Sequence, residues 1–219
     1  MTHPNLKGWW RFENDLLDSS GNGNDGAMGA GSATYAAGVQ GQAYDSSTAR
    51  FVTIADSASM RITGALTVAA WVRRTASLAN HSGLLDKWYR AAAVRSWNFI
   101  VLSSAGSHLP RFSISQNGAA GVLVDGPTTP ANGWMHIVGT YTPSSALRIY
   151  IDGALYATNT TGIYSSLYNA TTAVYIGQYS DNSGYRFTGQ IEDARIYNCA
   201  LDANDIRRVY LGMQPTRIY

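Results

Sequence analysis

Apolar and polar residues alternate one for one along much of this sequence, and that alternation limits the fold more than any other feature. In residues 66–72, Leu66, Val68, Ala70 and Val72 fall on one face. In residues 111–116, Phe112 and Ile114 face one way and the serines the other; in 147–151, Leu147, Ile149 and Ile151 oppose Arg148 and Tyr150. A repeat of two is that of an extended strand, not of a helix. Asp152 and Gly153 connect this last segment to residues 154–158. A two-residue Asp-Gly link supplies the positive φ angles of a type I′ turn, so the two segments are expected to form a hairpin. Further strands are expected at 8–12, 51–54, 83–87, 97–102, 122–125, 134–141, 174–178 and 187–197, separated by clusters of Gly, Ser, Asn and Pro. Many short alternating strands at this spacing indicate an antiparallel sandwich or barrel. The Gly-, Ala- and Ser-rich stretch 26–41 reads as loose chain within the domain.

One helix is expected, near the C-terminus. Asp202 is a suitable N-cap, with Asp205 three residues on, where an acid favours the positive end of the helix dipole. Leu201 and Ile206 have the spacing of a hydrophobic staple, Ile206, Val209 and Tyr210 give an apolar face, and Gly212 supplies a stop.

At 219 residues, with 45% hydrophobic and 14% charged, the chain reads as one domain over residues 1–219, with a core large enough to exclude intrinsic disorder. A net charge of +2 argues against a nucleic-acid partner, and the pairs Arg73–Arg74 and Arg207–Arg208 read as solvated edges. The single Cys199 excludes an intramolecular disulfide framework and a cysteine-based metal cage. The opening residues lack the basic and apolar regions of a signal peptide, and no apolar run approaches the roughly 18 residues of a membrane span. The expectation is cytosolic synthesis with a virion or extracellular destination open, and no membrane insertion.

Three stretches carry a family resemblance. Residues 10–26 run from Trp10 through Asp18, Asn22 and Asn24 to Gly26; residues 62–72 end in Trp71 and Val72; residues 189–198 hold Glu192, Asp193 and Arg195. With residues 147–153 and the closing 200–206, these resemble, in order and spacing, the laminin-G-like domains of the concanavalin-A-like lectin/glucanase superfamily. Cys199 departs from the pattern, which has a basic residue there. The resemblance implies an all-β fold, a two-sheet antiparallel jelly-roll sandwich with one short C-terminal helix, whose first and last strands lie side by side. It also implies a non-catalytic module that binds glycans or proteins, often with calcium.

Residues 18–26 form the densest cluster of hard oxygen ligands in the chain, the ligand type calcium takes. Asp18, Ser20, Asn22 and Gly23 match the start of an EF-hand loop, but its twelfth position is Gly29, which offers no carboxylate. In the related domains a carboxylate of the last strand approaches this loop. That role falls to Asp193 rather than Glu192, the two being expected on opposite strand faces. The candidate ligands of a structural calcium are therefore Asp18, Asn22, Asn24 and Asp193. The alternative reading of the same cluster is a turn that uses Asp, Asn and Gly for left-handed backbone and Asx hydrogen bonds. Residues 21–26 also satisfy G-x-G-x-x-G, but no helix pattern follows, which rejects a dinucleotide site.

Catalysis finds little support. The chain has two glutamates, Glu13 and Glu192, and lacks the Glu-x-Asp-x-x-Glu run that glucanases of the superfamily carry on one strand. No G-x-S-x-G elbow occurs. His3, His81, His108 and His136 lack metal-ligand spacing, and His136 reads as a hydrogen-bonded structural residue on a strand. Glycan binding fits two aromatic segments better. Trp88 and Tyr89 sit beside charges of both signs at a strand end, and Tyr179, Asp181 and Tyr185 bracket a polar loop, with Tyr164 and Tyr168 nearby. Trp9, Trp71 and Trp134 read as sheet packing. Two other classes stay open: a homo-oligomeric or adhesion component of a larger assembly such as a phage virion, in which the aromatics form subunit contacts, and a polysaccharide-degrading enzyme of the same fold.

Overall fold

The computed structural model describes residues 3–47, 50–78, 81–89, 91–180 and 184–216. In chain order the strands are β1 (Leu6–Trp10), β2 (Gly26–Ala30), β3 (Tyr35–Ala37), β4 (Gln42–Asp45), β5 (Phe51–Ile54), β6 (Leu66–Arg74), β7 (His81–Tyr89), β8 (Val94–Ser104), β9 (Ser107–Ile114), β10 (Val122–Asp125), β11 (Trp134–Thr142), β12 (Ala146–Ile151), β13 (Ala154–Asn159), β14 (Val174–Ile176) and β15 (Gly189–Tyr197); α1 (Ala203–Tyr210) follows. They form two antiparallel sheets. The first runs β13-β12-β11-β6-β15-β4-β3, with β1 also on β15; the second runs β10-β9-β8-β7-β14-β5-β2. The expected sandwich is present, and the first and last strands are neighbours. No described helix is long and apolar enough to cross a membrane.

The alternating residues do what their period demands. Leu66, Val68, Ile137, Ile149, Ile191 and Ile196 of the first sheet meet Trp97, Phe99, Phe112, Val174 and Ile176 of the second in one buried core. The hairpin after β12 turns on Asp152 and Gly153 at φ 50° and 79°, the type I′ geometry. Two strands, β2 and β3, stand where the sequence read loose chain, and β4 follows where no strand was expected. They lack β-branched residues: β2 pairs with β5, while β3 pairs with β4 and β4 in turn with β15.

Helix α1 closes the outer face of the first sheet. The Asp202 side chain accepts from the Asp205 amide at 2.9 Å, and Gly212 stops the helix at φ 75°. Leu201, Ile206 and Val209 pack with Leu6, Ala69, Val138 and Tyr197 of the sheet. Beneath the helix, the His136 ring lies 5.2 Å from Trp71 and 5.8 Å from Tyr210, centroid to centroid. It is fully buried and neither ring nitrogen has a hydrogen-bond partner, so it is a packed ring rather than the hydrogen-bonded residue expected. Burial, with Arg195 adding its positive charge, pushes its pKa down to about 3.

Candidate functional site: an aromatic face on the second sheet

With α1 over the first sheet, the outer face of the second is the open one. The chain leaving β14 lies along β7 because Gly83 has no side chain; a Cβ there would sit 2.2 Å from the Gln178 carbonyl carbon. This contact brings the two predicted aromatic segments together. The Ser180 amide donates to Asp86 at 3.4 Å, and the Ser180 hydroxyl donates to the Trp88 carbonyl. Trp88, Tyr179 and Ile100 form a small buried cluster against which Tyr185 packs. His81 joins it, 6.2 Å from Tyr179 and 5.7 Å from Tyr185.

Burial divides these residues by role. Trp88 and Tyr179 keep only 6% and 4% of their surface, so they hold the loop down and offer no free ring face. Tyr89 and Tyr185 are half-buried and remain at the surface. Tyr164 and Tyr168 do not join them: Tyr164 packs on the main core and Tyr168 bonds to Ser115. Asp181 lies outside the described residues.

The strand pattern hid further members. Tyr175 on β14 stacks on Phe51 of β5 at 6.0 Å and 23°, and the Arg186 guanidinium lies 5.5 Å over the Phe51 ring. Arg186 is aimed by a 2.7 Å hydrogen bond from its Nε to Gln178 Oε1. Burial, then Tyr89 and Asp86, raise the Tyr175 phenol above its usual pKa. Phe51, Tyr175 and Arg186 are all half-buried. The signal for the first two was their outward parity: Phe51 alternates with Val52, and Tyr175 lies between Val174 and Ile176.

The four residues expected to bind calcium are used differently. Asp18 Oδ1 accepts from the Trp9 and Ser20 amides, each at 2.9 Å, and Oδ2 from the Ser20 hydroxyl and the Asn24 amide. Asn22 donates to the Leu6 carbonyl at 2.9 Å. Asn24 is buried, donates to the Lys7 carbonyl at 2.7 Å and to Ser59 Oγ at 2.9 Å, and accepts from Ser57 Oγ. Asp193 accepts from the Trp9 indole and forms an ion pair with Arg195 at 2.8 Å. The Asp18 carboxylate thus accepts four hydrogen bonds from this chain, while Asp193 Oδ2 is buried with the Arg195 guanidinium as its ion-pair partner and no hydrogen-bond donor; the two carboxylates lean on opposite parts of Trp9, its backbone amide and its ring. Among the described residues no three His, Cys, Asp or Glu side chains gather as ligands. The bonds from the Ser20 and Asn24 amides to Asp18 are those of an Asx-type turn, whereas the bonds of Asn24 to Lys7, Ser57 and Ser59 and those of Asp193 tie the turn's surroundings together.

The expectation that Glu192 and Asp193 oppose one another is also corrected. Asp193 adopts φ 53° at a bulge between Glu192 and Arg195, so it is an extra residue and the alternation restarts after it. Both side chains line one 190 Å³ pocket on the outer side, beside Trp9, Arg11 and Glu13. Glu192 accepts from the amides of Val39 and Gln40, and Glu13 from that of Gln42. Burial raises the Glu192 pKa, while those two amides pull it back. Both glutamates of the chain therefore fasten the turn between β3 and β4. Trp9, Arg11 and Glu13 could have been found from their outward spacing against the buried Trp10 and Phe12.

A laminin-G family model, described as the concanavalin A-like lectin/glucanases superfamily, matches residues 45–207. The chain belongs to that superfamily. No curated protein matches it. Among solved structures, this concanavalin A-like chain is similar to domain 4 of AbnA, a GH43 extracellular arabinanase from Geobacillus stearothermophilus in complex with arabinotriose. The TM-score is 0.72 at 19% identity, over 95% of this chain and 99% of that one. It is also similar to the binding domain of Paraclostridial Mosquitocidal Protein 1, with a TM-score of 0.75 at 14% identity, over 94% of this chain and 52% of that one. A third is botulinum neurotoxin type C, whose cell entry depends on interaction with two ganglioside molecules; the TM-score is 0.69 at 17% identity, over 95% and 51%. The chain spans about half the length of the two toxin structures.

Proposed function

We propose that this chain is a non-catalytic module that binds a glycan on the outer face of the second sheet. The observation that carries the reading is the convergence there of half-buried rings from four separate segments, Phe51, Tyr89, Tyr175 and Tyr185, with Arg186 held among them. Rings of this kind pack against the C–H faces of sugars, and a rigid sheet presents them without an ordering cost on binding. Similar folds crystallised with arabinotriose, or described as engaging ganglioside, support the choice of ligand class. The engagement of Glu13 and Glu192 with backbone amides supports the absence of hydrolysis.

The test is retention on a glycan array that includes arabinan oligosaccharides and gangliosides. Saturable retention that falls about tenfold in both Tyr175→Ala and Tyr185→Ala is expected, since each stacking contact contributes on the order of 1 kcal/mol or more. An array without a hit, or unchanged retention by both variants, overturns the reading. Trp88→Ala is a poor probe, because it empties the buried support of the loop.

The assembly reading draws on one observation. Leu155 and Tyr156 on the edge strand β13 are 53% and 55% exposed, an apolar edge of the kind that pairs with other chains. Light scattering tests it: a concentration-independent monomer removes this second reading.

A further inference from the structure

A second concavity lies at one end of the sandwich, away from the aromatic face. It is a cleft of 530 Å³ between β1 and the 58–65 segment that leads into β6, with Lys7, Ser59, Arg61, Thr63 and Asn198 as its polar lining and Ile62 in its wall. Its volume falls within the few hundred to about 1,000 Å³ usual for ligand sites, whereas the 190 Å³ pocket beside Trp9 falls short. No Asp or Glu lines it.

The walls are held from behind. Buried Asn24 bonds both the Lys7 carbonyl and Ser59 Oγ, one on each wall, so the turn at residues 18–26 acts as the brace of this cleft. Arg61 is fixed by Asp56, which accepts from its Nε at 2.8 Å and from its Nη2. Asp56 also accepts from buried Lys87 at 2.9 Å. One carboxylate shared by two cations neutralises neither fully. The Arg61 Nη1 edge makes no hydrogen bond, and the Lys7 ammonium reaches only the Pro4 carbonyl, at 3.1 Å. Asn198 Oδ1 is taken by Asn5, which leaves its amide donors for a ligand.

We propose that this cleft is an anion-recognising subsite that takes the carboxylate of a uronic-acid-containing saccharide, an inference that rests on the glycan-binding reading above. Lys7 and Arg61 supply positive charge. Ser59, Thr63 and Asn198 supply the mixed donors and acceptors that ring hydroxyls require. An acidic peptide is a poorer match. Acidic peptide motifs are read by clusters of arginines, and the lining of this cleft holds one, Arg61, already paired with Asp56.

The test is calorimetric titration of the whole chain with trigalacturonate and with neutral galactotriose, which share a polyol frame and differ in the carboxylates. Trigalacturonate is expected to bind about tenfold tighter, a preference that shrinks as salt is raised. Lys7→Gln and Arg61→Gln should each reduce that preference, and the double variant should abolish it. Lys7 makes no contact with Asp56, so Lys7→Gln reads the site even where Arg61→Gln disturbs the ion pairs. Equal affinity for the two sugars, a preference that survives in the double variant, or equal competition by a polyglutamate peptide overturns the proposal. If galactotriose or other neutral glycans bind while the acid gives no advantage, this inference fails and the aromatic-face reading stands; if no sugar binds at all, both fail.

Discussion

His136 should make the protein acid-sensitive well above the pH at which its carboxylates titrate. In the folded state the ring lies between Trp71 and Tyr210 with no acceptor for a proton, and its pKa is about 3 against an ordinary 6.5. Between those values the unfolded chain binds a proton that the folded chain refuses, so stability rises with pH and is lost as pH falls below 6.5. The loss amounts to about 1.4 kcal/mol per pH unit, and hence ~2 kcal/mol from neutral pH to pH 5. That is a sizeable share of the 5–15 kcal/mol typical of a domain. His136→Phe keeps an aromatic ring between the same neighbours and removes no hydrogen bond. Urea unfolding of both proteins at pH 7 and pH 5 isolates the effect. His108, also pushed down by burial and Arg74, and Glu192, pushed up by burial, titrate in both proteins and cancel in the difference. Wild type should lose ~2 kcal/mol more than the variant over this interval. Equal losses would show that folded His136 accepts a proton freely, and the buried, unpartnered ring would be refuted.

Two further outcomes follow from the geometry. Gly83→Ala places a Cβ against the backbone at Gln178; it should cost about 1–3 kcal/mol in denaturant unfolding and, by lifting Gln178 and Tyr179 off β7, reduce glycan retention along with it. A variant with unchanged stability would mean that the loop does not rest on β7. Adding EDTA should leave the melting temperature where it was if the four hydrogen bonds to Asp18 and the Arg195 pair of Asp193 hold this corner by themselves; a lowered melt restored by calcium would show that an ion holds it instead.

What the sequence made legible was whatever depended on local period and local chemistry. Leu66 to Val72, the Asp152–Gly153 turn and the Asp202 cap are each specified by residues within a few positions of one another, and each stands where expected. The strands β2, β3 and β4 were not legible, because none has the apolar alternation of a strand: Ala27 is ordered by β5, and the short β3–β4 hairpin, in which Ala36 pairs with Ala43, is anchored through β4 to β15 far along the chain. The site followed the same division. Nearness of Trp88 to Tyr179 depends on the missing side chain at Gly83, a contact that no periodicity encodes. Asp193 was misplaced because one residue at φ 53° resets the alternation, and a bulge leaves no mark on composition. The oxygen-rich turn at 18–26 stood out by composition, while the amides and hydroxyls its oxygens meet come in part from Trp9, Ser57 and Ser59, which the local sequence does not name.

Because β15 is bonded to β6 on one side and to both β4 and β1 on the other, the order of synthesis runs against the order of dependence. Three strands made early have their partner in a segment that begins at Gly189. A growing chain can assemble the second sheet, whose strands all precede that segment, while half of the first sheet waits with open edges. Contacts this distant in sequence close slowly, and unpaired edges invite association in the interval. Expression yield should therefore depend on chaperone supply during the final part of synthesis, and truncations that remove β15 should aggregate rather than yield a smaller domain.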